Sequence, residues 1–239
     1  MKAPILKTLA ALALITTSAA AQETPMENHT ASYIAMPAAE GQTEAFAEFL
    51  AGAAPIVADT EPGTVLWFAL RADDTLAIFD IFVDEEARNA HFSGAVAAAL
   101  NQNADALVAG GWDDGVVANI NNSDVLSVRE PVDLHSATTA TYITLEAAPG
   151  RGPELAALLT AAGPIVGETE PGTLFWAALQ IDETSFAIFD IFTNNAGREA
   201  HFAGQVAGLL KERAAELVAG GWDDGVVANV HNFDILAIK

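Results

Sequence analysis

The sequence predicts an α+β protein built from two βαββαβ domains that pack sheet to sheet within one chain. Three observations carry this prediction. The chain repeats itself at a spacing of 109 to 110 residues. Each copy runs through the same succession of strand-like and helix-like stretches. The middle strands of each copy are apolar on both faces, so each sheet needs a cover on both sides.

The repeat is direct. Glu61-Pro62-Gly63-Thr64 returns as Glu170-Pro171-Gly172-Thr173, and Ala77 to Phe82 (AIFDIF) returns unchanged as Ala187 to Phe192. Ala90-His91-Phe92 returns as Ala200-His201-Phe202, and Leu107 to Leu126 matches Leu217 to Leu236 at 16 of 20 positions. The offset grows from 109 to 110 because the second copy gains one residue between its middle strands. Two copies are too few for a solenoid, so this is a duplicated domain. The expected organisation is a first domain over 30–129, a polar, proline-containing linker over 130–138, and a second domain over 139–239. Residues 1–21 read as a secretory signal peptide: Lys2 and Lys7, a short apolar run over 9–15, then Ala19 and Ala21 at an A-x-A cleavage site. An exported protein, periplasmic or secreted, is expected, with a loose tail over 22–29.

Within each copy, residues 32–36 and 141–146 alternate as first strands. Phe46, Phe49 and Leu50 recur at helical spacing over 42–57, as do Leu155, Leu158 and Leu159 in the second copy. Pro55 and Pro164 are expected to kink or stop these helices. The E-P-G-T turn then launches a second strand, its glycine suited to a positive φ. A short loop leads into AIFDIF, which completes a hairpin. Asp84 and Asn194 are placed to cap the next helix, which carries His91 or His201 and breaks at Gly94 or Gly204. A further helix precedes a Gly-Gly-Trp-Asp-Asp-Gly loop, and a last strand covers 116–128 or 226–238.

The order β-α-β-β-α-β is ferredoxin-like. Leu66, Phe68 and Leu70 point one way, and Val65, Trp67 and Ala69 the other. Helices cover one face, and the second copy is the economical cover for the other. An internal pseudo-dimer is therefore expected.

Composition narrows the function. A formal net charge of −22 repels nucleic acid and anionic membrane surfaces. There is no cysteine, which removes thiol catalysis, thiolate metal sites and iron–sulfur clusters. No nucleotide-binding loop, dinucleotide fingerprint, H-E-x-x-H or G-x-S-x-G stands in the chain.

E-P-G-T followed by an aromatic strand, F-D-I-F, and a helix carrying A-H-F together resemble the antibiotic biosynthesis monooxygenase superfamily. The likeness covers nearly all of each copy. It implies a dimeric α+β barrel, here closed within one chain, with a cavity between each sheet and its helices. It implies a range of activities: cofactor-free oxygenation of quinols, anthrones or polyketides, or haem degradation. For haem the resemblance calls for an axial histidine further along the second helix. Residues 97–100 and 208–210 offer none, so haem is the weaker reading and no cofactor or metal is expected.

His91 and His201 are the first catalytic candidates. Each suits a general base toward a phenol, or a helix-end histidine bonded to a backbone carbonyl. Asp80 and Asp190 are carboxylates inside an apolar strand and must be paired, hydrogen-bonded or protonated. They suit orientation of the histidine or a hold on a substrate hydroxyl, or else a rim position. Trp67, Trp176, Asn119 and Asn229 are substrate-binding candidates, with core or structural roles as the alternative. Trp112 and Trp222 are expected to plug the barrel end. Asp113-Asp114 and Asp223-Asp224 lack the spacing of a calcium loop and read as turns. His231 has no histidine counterpart in the first copy, where Asn122 or Asn121 stands, and is a poor ligand candidate. The expected function is a cofactor-independent monooxygenase of a small aromatic or quinol. A small-molecule binding or sensing module and a purely structural barrel are the alternatives.

Overall fold

The computed structural model describes Met26 and residues 29–239. The predicted leader, residues 1–21, lies outside the described residues. The first copy contains β1 (Thr30–Pro37), α1 (Thr43–Thr60), β2 (Thr64–Ala72), β3 (Thr75–Phe82), α2 (Glu85–Phe92), α3 (Ala95–Leu107), a short α4 (Gly111–Gly115) and β4 (Ile120–Arg129). The second contains β5 (Thr139–Glu146), α5 (Gly152–Thr169), β6 (Thr173–Gln180), β7 (Ser185–Phe192), α6 (Asn195–Phe202), α7 (Gln205–Leu217) and β8 (Val230–Ile238). The copies close into one eight-stranded antiparallel barrel of order β1-β3-β2-β8-β5-β7-β6-β4. The fold is α+β, with two ferredoxin-like halves forming an intrachain dimeric α+β barrel.

Closure depends on the last strand of each copy. The first half of β4 pairs with its own β1 over Ile120 to Asp124, and its second half pairs with β6 over Asp124 to Arg129. β8 does the same with β5 and β2. Each half therefore lends its last strand to the other, and no sheet edge is left unpaired. The barrel interior takes the inward residues of both copies. Phe79 stacks on Phe189 with ring centroids 3.7 Å apart, and Tyr33 stacks on Tyr142 at 3.7 Å. The other face of each half-barrel is covered by helices: Trp67, Ala69 and Ile78 pack with Phe46, Leu50 and Val57 of α1 and with Leu100 of α3. The two-faced apolar strands are thus explained by one barrel core and two outer helix layers.

Four local expectations change. Pro55 and Pro164 lie inside α1 and α5, which run on to Thr60 and Thr169; burial of Ala54, Val57 and Val166 in the helix layer holds the helices through the proline. Residues 117–119 and 227–229 form 3-10 turns, so the last strands begin at Ile120 and Val230. Val65 packs toward the barrel interior instead of with Trp67, because a bulge between Thr64 and Leu66 shifts the alternation. Gly63 and Gly172 do not take positive φ. They are small because α2 and α6 lie against them: a Cβ on Gly63 would stand 2.6 Å from Ala87 Cβ. The capping prediction matches the geometry, with Asp84 accepting from the Ala87 N–H at 2.8 Å and Asn194 from the Gly197 N–H at 3.1 Å.

Candidate active site

The tight turn after α1 directs Glu61 back toward α2. Glu61 follows the last turn of α1, its N–H bonded to the Val57 carbonyl. His91, the seventh residue of α2, meets it: Nδ1 lies 2.5 Å from Glu61 Oε2. The Thr64 hydroxyl donates to the same oxygen at 3.1 Å. Gly94 makes room for this approach, since a Cβ there would stand 2.8 Å from Glu61 Oε1. On the other side of the imidazole, Nε2 lies 3.9 Å from Asp80 Oδ2. That is too long for a direct hydrogen bond and suits one bridging oxygen, from water or a substrate hydroxyl. The second copy repeats the arrangement: His201 Nδ1 bonds Glu170, and Nε2 lies 3.7 Å from Asp190 Oδ1.

Each site is thus a carboxylate–imidazole–carboxylate array on the helix-covered face of the barrel. Asp80 and Asp190 are fully buried, and His91 and His201 are buried at the 5% and 4% level. Burial pushes Asp80 up to about 7, with His91 pulling it back and Glu61 adding to the rise. Asp190 stands at about 7 for the same reasons. For both histidines burial acts downward, but the facing aspartate and the bonded glutamate outweigh it, and both are raised. The array therefore holds protons near neutrality, the range useful to a general acid or base. Glu61 acts as orienter: accepting from Nδ1, it turns Nε2 toward Asp80.

Several buried polar atoms here have no protein partner: both carboxylate oxygens of Asp80 and Asp190, Oε1 of Glu61 and Glu170, and the indole N–H of Trp67 and Trp176. Trp67 stands directly across from Asp80 in the β2–β3 register, and Ser32 stands across from it on β1. Unpaired buried groups are costly, and the same set recurs in both copies.

The structure thus groups His91, Asp80 and Trp67, and likewise His201, Asp190 and Trp176. It does not bring Asn119 and Asn229 into that group. Both lie on the 3-10 turns, where their side-chain N–H groups donate to the carbonyls of Asp114 and Gly115 and of Asp224 and Gly225. They brace the Gly-Gly-Trp-Asp-Asp-Gly segment. Trp112 and Trp222 do not plug the barrel either; they are half-buried against the outer helix layers, because α4 and the corresponding turns sit outside the sheet. Leu134, Ala137 and Met26 instead pack onto the barrel core. Sequence reasoning missed Glu61 and Glu170. A turn needs the proline and glycine of E-P-G-T but not its glutamate, and a glutamate held 30 and 31 residues before each histidine was the available signal.

Among the described residues no group of three His, Asp or Glu is arranged to hold a metal ion, and no helix is long and apolar enough to cross a membrane. Cavities of about 540 and 420 Å³ open against the two halves of β8, and neither is lined by the array.

No protein-family model and no curated protein matches the chain. Solved structures do. A candidate monooxygenase from Fusobacterium nucleatum is 15% identical, with a TM-score of 0.71 over 89% of this chain and 94% of its own. Another from Lactobacillus acidophilus is 11% identical, with a TM-score of 0.68 over 89% and 96%. An anthrone oxidase-like protein is 11% identical, with a TM-score of 0.55 over 90% and 95%. Identities this low establish the fold. The chain shares the fold of these structures, a dimeric α+β barrel, with both halves of the barrel carried in one polypeptide.

Proposed function

We propose that the chain is a cofactor-independent monooxygenase of a small phenol or quinol, with one site in each copy. The observation that carries this reading is the buried Glu61–His91–Asp80 array and its repeat at Glu170, His201 and Asp190. An oxygen seated in the gap between His91 Nε2 and Asp80 Oδ2 is in reach of both. With Asp80 at about 7, its carboxylate accepts the substrate's hydroxyl proton at neutral pH, and the imidazole and the indole N–H of Trp67 stabilise the resulting anion. The electron-rich anion reduces O₂ by one electron, and the radical pair combines at carbon as a hydroperoxide. Loss of water then leaves a carbonyl. The substrate gives up one O–H and one C–H hydrogen, one oxygen atom enters the product, and the other leaves as water.

Oxygen uptake by the wild type with a panel of quinols and anthrone-like phenols tests this, beside Asp80→Asn/Asp190→Asn and His91→Ala/His201→Ala variants. Uptake that vanishes in variants retaining a cooperative unfolding transition supports the reading. Absence of uptake across the panel refutes it. A binding or sensing module is the second reading, favoured by the sizeable cavities that open elsewhere on the barrel. Residues 1–21 support an exported location, which N-terminal sequencing of the exported protein tests, with Gln22 as the expected first residue.

A further inference from the structure

The barrel has two unlike ends. At one, Met26 and the linker residues Leu134 and Ala137 pack onto the core. At the other, where β1 runs out toward Pro37 and the β2–β3 hairpin turns, a cavity of about 420 Å³ opens. This lies within roughly the 300–1,000 Å³ range of small-molecule sites. Tyr33 and Tyr142, stacked at an interplanar angle of 11°, line it, and Phe233 meets Tyr33 edge-on at 6.4 Å. Neither tyrosine hydroxyl has a hydrogen-bond partner among the described residues, and neither is among the sealed polar atoms, so both stay open to the cavity. No Asp, Glu, Lys or Arg lines it.

The duplication shows why the two sides of the mouth differ in lining. Ala72, which pairs with Thr75, corresponds to Ile181 at the same hairpin position in the second copy. Ala35, opposite Ala77, corresponds to Thr144, opposite Ala187. Phe233 corresponds to Ser123, and His231 to Asn121, by their pairing with Ala140, Ala31, Tyr142 and Tyr33. The first copy has thus given up volume on its own strands, while the second has contributed an aromatic wall through β8. On the second copy's side a cavity of similar size, about 430 Å³, is lined instead by Ile181, by polar residues including Asn229, and by the acids Glu146 and Asp182, with neither tyrosine nor Phe233 in its wall. Two identical chains could not build this one-sided mouth.

We propose that the barrel mouth is a binding site, separate from the Glu61–His91–Asp80 array, for one neutral planar aromatic molecule bearing a hydrogen-bond acceptor. The aromatic floor and wall supply stacking and edge contacts. The tyrosine hydroxyls and His231 supply polar anchors, and the uncharged lining within a chain of net charge −22 rejects anions.

Calorimetric titration of the full chain with 1-naphthamide, which has no phenolic hydroxyl for the arrays, and with 1-naphthoate as the anionic comparison, tests the site. The expected result is saturable binding of one 1-naphthamide per chain, with 1-naphthoate at least tenfold weaker. Ala72→Ile, which copies the second copy's residue into the cavity, should weaken 1-naphthamide at least tenfold. His91→Ala/His201→Ala should leave binding unchanged. Phe233→Ser, which gives β8 the first copy's residue at that position, should weaken binding at least tenfold, and this arm stands even if Ala72→Ile fails to fold. Lack of saturable binding, two molecules per wild-type chain, indifference to both mouth variants, or loss with the histidine variants would overturn the proposal.

Discussion

Asp80→Asn/Asp190→Asn is the most informative perturbation of stability. Both carboxylates are fully buried, without a protein hydrogen-bond partner, and stand at about 7 against an ordinary 3.8. A carboxylate raised on folding binds its proton more tightly in the native state, so stability is highest below the unfolded pKa. It falls as pH rises through the window from 3.8 to about 7. At about 1.4 kcal/mol for each tenfold change in proton affinity, each site loses up to about 4 kcal/mol across that window. The raised histidines act in the same direction, since they too shed a proton held more tightly in the native state as pH rises. Urea unfolding at pH 5, 6, 7 and 8 reads the slope. Wild-type stability should decline over this range, and the double asparagine variant should decline distinctly less, because asparagine occupies nearly the same volume and does not ionise. Comparing the two cancels the general repulsion of a highly acidic chain. Equal slopes, or a wild type that gains stability toward pH 8, would refute the assignment of buried aspartates that hold their protons more tightly in the folded chain.

Other outcomes test separate links. Glu61→Gln should lower the pH at which His91 titrates by NMR while leaving His201 unchanged, since only the first copy loses the anion bonded to Nδ1. Gly63→Ala should destabilise by about 1–3 kcal/mol, as expected of overpacking, because the new Cβ meets Ala87 at 2.6 Å. Gly208→Ala, a position in α7 where a Cβ meets nothing within 4 Å, should stabilise by roughly 0.5–1 kcal/mol. Phe79→Ala should cost about 3–5 kcal/mol, because it removes both the fully buried ring and its stack on Phe189. Chemical denaturation checks all three.

Much of this architecture was legible in the residues. The repeat of E-P-G-T, AIFDIF and A-H-F disclosed the duplication, and strands such as Val65 to Leu70, apolar at every position, required a cover on both sides. Asp80 was conspicuous because a carboxylate is out of place in such a strand. What the residues could not disclose was long-range. Glu61 and His91 are 30 residues apart and belong to a turn and a helix that touch only in the folded chain. The strand exchange of β4 and β8 is equally invisible, because each strand's alternation is the same whether its partner is its own sheet or the other copy's. Asn119 takes the structural alternative, its side chain committed to backbone carbonyls, while Trp112, expected to plug the barrel end, packs on the outer layer because the turn that holds it lies outside the sheet. Local patterning determined the elements and the need for a barrel. Only closure of that barrel decided which polar groups meet away from water, because burial and proximity belong to the tertiary structure and not to any segment of the chain.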